Sequence, residues 1–200
     1  MSASRFAIQS GIPEKFRTDA AHLFDSAFGE KLSVAIPQSA RRVDLFANSF
    51  ELKHALTAIS GKKLLGLVGY SSDSGSLTGA IDYAELISEF GELAGNRAAL
   101  VLGLYKQDTH INELTIDGIA VAPDSRGQGV GTDLLLELVK FARNKQYESI
   151  RLGVSDINTG ALKLYQRHGF VETGVTEFEG LRESLGFGAT ITMVCDLRSV

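Results

Sequence analysis

The apolar positions of the chain change period several times, and each change marks an element. Arg5–Ser10 is short and partly apolar and ends at Gly11-Ile12-Pro13, which fits a first strand. Over Pro13–Phe28 the residues Phe16, Ala20, Leu23, Phe24 and Phe28 recur at helical spacing. Val43–Phe50 predicts a second short helix. Ala55–Ile59 and Leu64–Tyr70 flank Ser60-Gly61-Lys62-Lys63, the pattern of two strands joined by a hairpin turn. Ser71–Gly79, rich in Ser, Gly and Asp, reads as a loop. Ile81–Leu93 has helical spacing again, and Ala98–Tyr105 is an apolar run that fits either a strand or a helix. A structureless connection as long as 71–109 is uncommon in a compact domain. The segment therefore reads as a helical insertion between two sheet strands.

The second half is more regular. Glu113–Val121 predicts a strand, Pro123–Gly129 a loop, and Val130–Asn144 a helix whose Leu134, Leu135, Leu138, Val139, Phe141 and Ala142 form a wide apolar stripe. Ser149–Val154 predicts a strand. Strand, helix and strand in this order imply a parallel pair with a right-handed crossover. Thr159–His168 predicts a helix stopped by Gly169. Phe170–Thr176 and Ala189–Leu197 complete the sheet.

Composition narrows the function classes. At 200 residues and 44% hydrophobic, the chain suits one well-buried core. A formal net charge of −4 provides no basic field for nucleic acid or an anionic membrane. No apolar run approaches the roughly 20 residues of a membrane helix, and Met1–Gly11 lacks the apolar core of a signal peptide. The single cysteine, Cys195, excludes an intrachain disulfide and lies in an apolar run, where a buried inert thiol is expected. A reducing, cytoplasmic location is the expectation. His22, His54, His110 and His168 are scattered without metal-ligand spacing, so no metal site is expected.

The chemistry concentrates at Val121-Ala122-Pro123-Asp124-Ser125-Arg126-Gly127-Gln128-Gly129-Val130-Gly131-Thr132. Three alternating glycines at a strand-to-helix junction let a ligand approach the main chain. The helix start offers unpaired amides and partial positive charge, a cradle for a pyrophosphate, and Arg126 adds a cation. A dinucleotide fingerprint starting at Gly127 would need glycine where Thr132 stands. A Walker loop would need Lys-Ser/Thr after Gly131, which Thr132-Asp133 does not supply. A flexible glycine turn before an ordinary helix is the plainer alternative.

Arg126–Gly131 resembles the R/Q-x-x-G-x-G/A pyrophosphate motif of the GNAT N-acetyltransferase superfamily. Ile119–Pro123 looks like the strand that precedes it. Asn158–Phe170 resembles the family's second segment, N-x-x-A-x-x-L-Y-x-x-x-G-F, in the expected order. The close resemblance covers about 113–170; the N-terminal half matches only in its coarse order of elements. The resemblance implies an α/β fold of one domain over 1–200, with a mixed, mostly antiparallel sheet, a splayed parallel strand pair and helices on both faces. Residues 1–70 would form the N-terminal strand, helices and hairpin, 71–109 the insertion, and 110–200 the acyl-CoA half.

It also implies a reaction: an amine attacks the acetyl thioester of acetyl-CoA directly, with no acyl-enzyme and no metal. Main-chain groups of Ile119, Ala120 and Val121 would line the pantetheine arm. Arg126, Gly127, Gln128, Gly129, Val130, Gly131 and Thr132 would hold the pyrophosphate, and Asn158 would contact or bend the arm. Tyr165, seven residues after Asn158, would be the general acid, because a phenol that titrates near ~10 is protonated at neutral pH. Packing of its ring on the sheet is the competing role. Asp117 is the candidate base, with Glu113 on the same strand face if no bulge intervenes. A Glu that some family members carry on the second parallel strand is replaced here by Gly153. The acceptor would be a small-molecule or peptide amine, with nucleic acid and membrane not expected and a homodimer left open. A non-catalytic acyl-CoA-binding or sensing module is the second reading.

Overall fold

The computed structural model describes residues 6–103, 110–180 and 182–198. Strand β1 (Ala7–Ser10) leads through a 3-10 turn at Glu14–Phe16 into α1 (Arg17–Leu32) and α2 (Ser39–Ser49). The hairpin β2 (Ala55–Ser60) and β3 (Lys63–Ser72) follows, and the two-residue β4 (Gly75–Ser76) folds back on β3. Then come α3 (Tyr83–Gly103), β5 (Glu113–Val121), α4 (Val130–Asn144), β6 (Ser149–Ser155), α5 (Thr159–Arg167), β7 (Val171–Glu177), the short α6 (Arg182–Leu185) and β8 (Ala189–Asp196). The sheet runs β1-β2-β3-β5-β6-β8-β7 with β4 outside this path, and among the described residues only the β5–β6 pair is parallel. This is the mixed, mostly antiparallel α/β architecture expected from the sequence.

Strand alternation sends side chains to two separate cores. On one face, Phe24 of α1, Phe46 of α2 and Leu86 and Ala98 of α3 pack with Ala55, Leu67 and Ala120 of the sheet. On the other, Leu134, Leu135 and Leu138 of α4 and Tyr165 of α5 cover Val68, Leu114, Ile150 and Leu152. The wide apolar stripe of α4 thus has a continuous hydrophobic surface to bury. The other face is tied by a buried ion pair: Arg42 Nε donates to Asp25 Oδ1 at 2.5 Å and Arg42 Nη1 to the Ile36 carbonyl at 2.7 Å, clasping α2 to α1.

Element boundaries depart from the sequence reading where polar residues conceal burial. The first helix starts after a 3-10 turn and runs on to Leu32, which is buried. The second begins at Ser39 rather than Val43, since its first turn carries Arg42, a charged residue buried by its partner. The 71–79 loop contains the end of β3 and β4. The two apolar runs 81–93 and 98–105 are halves of α3, interrupted at Gly91 (φ 77°), and this settles the second as helix; Leu104 and Tyr105 lie outside the described residues. In β5 the pairing with β3 slips between Ile116 and Gly118, leaving Asp117 at a bulge. Leu114 and Ile116 before the bulge, and Ile119 and Val121 after it, consequently all face α4.

Candidate active site

The loop before α4 has the conformation its glycines allow. Gly127 and Gly129 adopt φ of 73° and 86°, a region that L side chains rarely enter. A Cβ added at either would meet nothing within 4 Å, so open space lies in front of the main chain there. Gly129 is the N-cap of α4, and no side chain caps that helix start. The Asp133 amide finds the Gly129 carbonyl at 2.9 Å, while the amides of the first turn face outward with the positive end of the helix dipole. Arg126 is exposed, and its Nε donates to the Val121 carbonyl at 3.3 Å. The arrangement suits a polyanion held by backbone amides and one guanidinium.

Beside this cradle the sheet opens. Parallel pairing between β5 and β6 ends at Ile116 opposite Leu152, although β5 continues to Val121 and β6 to Ser155. The Ala122 amide donates to Leu65 on the β3 side at 2.8 Å, so alternation turns the main-chain groups of Val121 and Ile119 toward the gap. An extended ligand with amide groups could pair with that edge as a strand would. The Gly131 end of α4 lies against Val121, since a Cβ at Gly131 would come 3.4 Å from its Cγ2. The anion cradle and the open edge are therefore contiguous, which fits an acyl-CoA.

Asp117 looks into a cleft on the opposite face of the sheet. The cleft has a volume of about 660 Å³ and is walled by Phe28 of α1, Phe46 of α2, Leu86 of α3 and the β3–β4 turn. Gly153 and Ser155 of β6 also line it, so it reaches the strands that part. Asp117 is half-buried; Ser71 donates its hydroxyl to Oδ1, and the Leu77 amide donates to Oδ2 at 3.2 Å. Burial pushes its carboxyl up to about 6 against those two hydrogen bonds, which pull it down. A carboxylate of that strength can take a proton near neutral pH.

Glu113 shares the face of Asp117 but not its environment. It is buried under Arg151, whose Nε donates to its Oε1 at 2.5 Å, and accepts a 2.7 Å bond from Ser149 Oγ. It fastens β5 to β6 and does not line the cleft, which removes it from the candidates for proton transfer.

Tyr165 lies in the core under α4, its ring 5.6 Å from that of Phe170. Burial pushes its phenol up to about 12, so it stays a neutral donor through the physiological range. Packing and proton donation are thus compatible in this residue. Asn158 is exposed and caps α5, accepting from the Ala161 amide at 3.1 Å through Oδ1. An Asn at a helix start favours such a cap. Gly169 stops the helix as expected, with φ of 85° and the Phe170 amide on the Tyr165 carbonyl at 3.1 Å. Cys195 is buried and its thiol is pushed up by that burial, as expected of an inert residue.

Residues that sequence reasoning missed lie in the cleft. Thr115, two positions before Asp117 on the same strand face, is 4% exposed, and its hydroxyl has no hydrogen-bond partner among the described residues. Phe28 lies so close to the β5 bulge that a Cβ at Gly118 would come 2.5 Å from its ring. Thr115 had no spacing signature, and the helical spacing of Phe28 marked only an apolar helix face; both line the cleft because α1 crosses β5. Among the described residues there is no group of three or more His, Cys, Asp or Glu that could hold a metal ion. Nor is any helix there long and apolar enough to cross a membrane.

Comparison with known proteins bears on the family and the fold. The chain is 36% identical over 85 residues to a streptothricin acetyltransferase of Streptomyces lavendulae, a match covering 42% of each chain. It is 36% identical over 103 residues to a thialysine N-epsilon-acetyltransferase of Mus musculus, covering 48% of this chain and 57% of that one. The match thus spans about half the length of these curated relatives. Among solved structures, an N-acetyltransferase from Staphylococcus aureus Mu50 superposes with a TM-score of 0.67 at 20% identity, over 94% of this chain and 99% of that one. The sequence profile of the acetyltransferase (GNAT) family matches residues 22–170. With that match and the splayed parallel pair beside a glycine loop, the chain belongs to the GNAT acetyltransferase family.

Proposed function

We propose that the protein transfers the acetyl group of acetyl-CoA to a primary amine. One observation carries the reading: the parting of β5 and β6 joins an anion cradle on one face of the sheet to an acid-bearing cleft on the other. Acetyl-CoA supplies the activated thioester. Backbone amides from Gly127 to Thr132, with Arg126, hold its pyrophosphate, and the main chain of Ile119 and Val121 pairs with its pantetheine arm, while that of Ala120 faces β3. The free amide nitrogen of Asn158 contacts that arm from the start of α5.

The amine enters from the Asp117 side as an ammonium, gives a proton to Asp117 directly or through water, and attacks the thioester carbonyl. The carbon–nitrogen bond forms as the carbon–sulfur bond breaks, Tyr165 donates its phenolic proton to the departing thiolate, and the surplus proton on the acylated nitrogen passes through water to the Tyr165 phenolate. Proton transfer by positioned groups of this kind is worth roughly 10²–10⁴ in rate. A domain that only binds acyl-CoA would have no use for a half-buried carboxylate in a 660 Å³ cleft on the far face, which favours the enzyme over the sensing module.

The test is acetyl transfer from acetyl-CoA to a panel of amines, followed by thiol release. Turnover that survives in wild type and falls in Tyr165→Phe is the expected result. Acetyl-CoA binding without turnover on any amine would support the sensing module instead.

A further inference from the structure

Resting on the acetyltransferase reading, we infer that the acceptor is an apolar monoamine, an aryl- or alkylamine without a carboxylate, whose ammonium docks between Thr115 and Asp117. The head of the site is a pair of oxygen acceptors on one strand face. Asp117 offers a carboxylate already oriented by Ser71 and the Leu77 amide. Thr115 offers a hydroxyl left without a partner in a floor position that is 96% closed to solvent, since the residue is 4% exposed. A buried polar group left unpaired is costly, and in native proteins it usually has a partner. An ammonium has three N–H donors and can satisfy both oxygens at once.

The helix side of the site is hydrocarbon, while hydroxyl side chains such as Ser72, Thr78, Ser155 and Thr190 line the sheet and turn side. Phe28 packs tilted against Phe24 at a ring-centroid distance of 4.5 Å, and Phe24 meets Phe46 edge-on at 5.1 Å. Ile81 and Leu86 stand among the other lining residues. Among the described residues the charged groups lining the cleft are Asp82 and Asp117, and no lysine, arginine or histidine joins them. Asp82 is exposed and engaged, accepting from the Glu85 amide at 2.7 Å. An α-amino acid would bring its carboxylate into a cleft whose described lining holds two carboxylates and no cation, a heavy desolvation cost. A polyamine would bring further ammonium groups against the same rings with only neutral hydroxyls or the exposed Asp82 to receive them. An apolar amine buries its chain against the helix side and presents one charge to Asp117 and Thr115.

The experiment compares phenethylamine, phenylalanine and spermidine, both as ligands titrated calorimetrically without acetyl-CoA and as acceptors with it. The expected result is phenethylamine binding and a kcat/KM roughly a hundredfold above the other two, the scale on which a largely apolar pocket discriminates. Thr115→Val should weaken phenethylamine binding by about tenfold, one hydrogen bond's worth, with the acetyl-CoA Kd unmoved, and Thr115→Ser should restore it. A preference for phenylalanine or spermidine, or phenethylamine binding indifferent to Thr115→Val, overturns the inference while leaving acetyl transfer intact. Phenethylamine binding that responds to Thr115→Val without any acetyl transfer upholds the docking chemistry and overturns the transferase reading instead.

Discussion

On the α4 face of the sheet, every group assigned to acetyl-CoA comes from the single stretch 119–165, and most of them are main-chain atoms at a helix start and a strand edge. On the α1–α3 face, the cleft wall comes from six separated stretches, namely α1, α2, the β3–β4 turn with α3, the bulge of β5, the end of β6 and the start of β8, and it is made largely of side chains. A ligand gripped by backbone needs only the right turn conformation, so its site depends on a few glycines. A ligand gripped by side chains depends on how distant helices lie across the sheet. The first site can stay constant while the second changes, which is how one fold serves many acceptors.

Breaking the clasp of the α1–α3 face should have the largest effect. Arg42→Met leaves Asp25 buried without its partner and should cost about 3–5 kcal/mol of stability, read as a lower Tm, with the amine KM raised more than the acetyl-CoA Kd. Replacing both partners by apolar residues should recover most of that loss. If Arg42→Met left the Tm unchanged, the clasp would not hold that face. Next in size, Tyr165→Phe should lower kcat about a hundredfold with both ligands still bound, because the ring contact to Phe170 persists and only the donor is lost. An unchanged kcat would reduce Tyr165 to packing.

Asp117→Asn sharpens the comparison through pH. In wild type the carboxylate must be ionised to receive the amine's proton, so kcat/KM should rise up to about pH 6 and level off above it. The substitution should remove that limb and cost about tenfold or more at neutral pH. Stability carries the opposite sign. A carboxyl raised from about 3.9 in the unfolded chain binds its proton more tightly when folded, so stability is full below about pH 4. It falls as pH rises through about 6 and stays lower above that. Asp117→Asn should flatten this slope, and an unchanged pH profile for both rate and Tm would remove Asp117 from the mechanism. Least in size, Asn158→Ala should cost about 1 kcal/mol by removing the α5 cap. A tenfold weaker acetyl-CoA Kd without loss of stability would instead make Asn158 a ligand contact first.

The same contrast explains what the sequence disclosed. β5, α4 and the loop between them were legible to the residue, because their periodicity, their glycines and their order in the chain are all local signals. Gly169 as a helix stop was equally local. The start of α2 was hidden by Arg42, whose burial depends on Asp25, seventeen positions earlier in the chain. Glu113 and Asp117 looked alike in sequence and are not. Arg151 and Ser149 close over the first, while the bulge and the β3–β4 turn place the second in the cleft. Thr115 gave no signal, and Phe28 only that of a helix's apolar face, since their place in the cleft arises from the crossing of α1 over the bulge.

The most direct test of the division between the faces is thermal unfolding with and without acetyl-CoA, in wild type and in Gly129→Asp. At a hundredfold excess over Kd, acetyl-CoA should add about 2.7 kcal/mol to the wild-type protein. Gly129→Asp, which sets a β-carbon and a negative charge at a φ of 86° facing open space, should fold with a lower Tm and gain nothing from the ligand, while phenethylamine still binds it. A wild-type Tm unmoved by millimolar acetyl-CoA, or an equal gain in Gly129→Asp, would contradict the account.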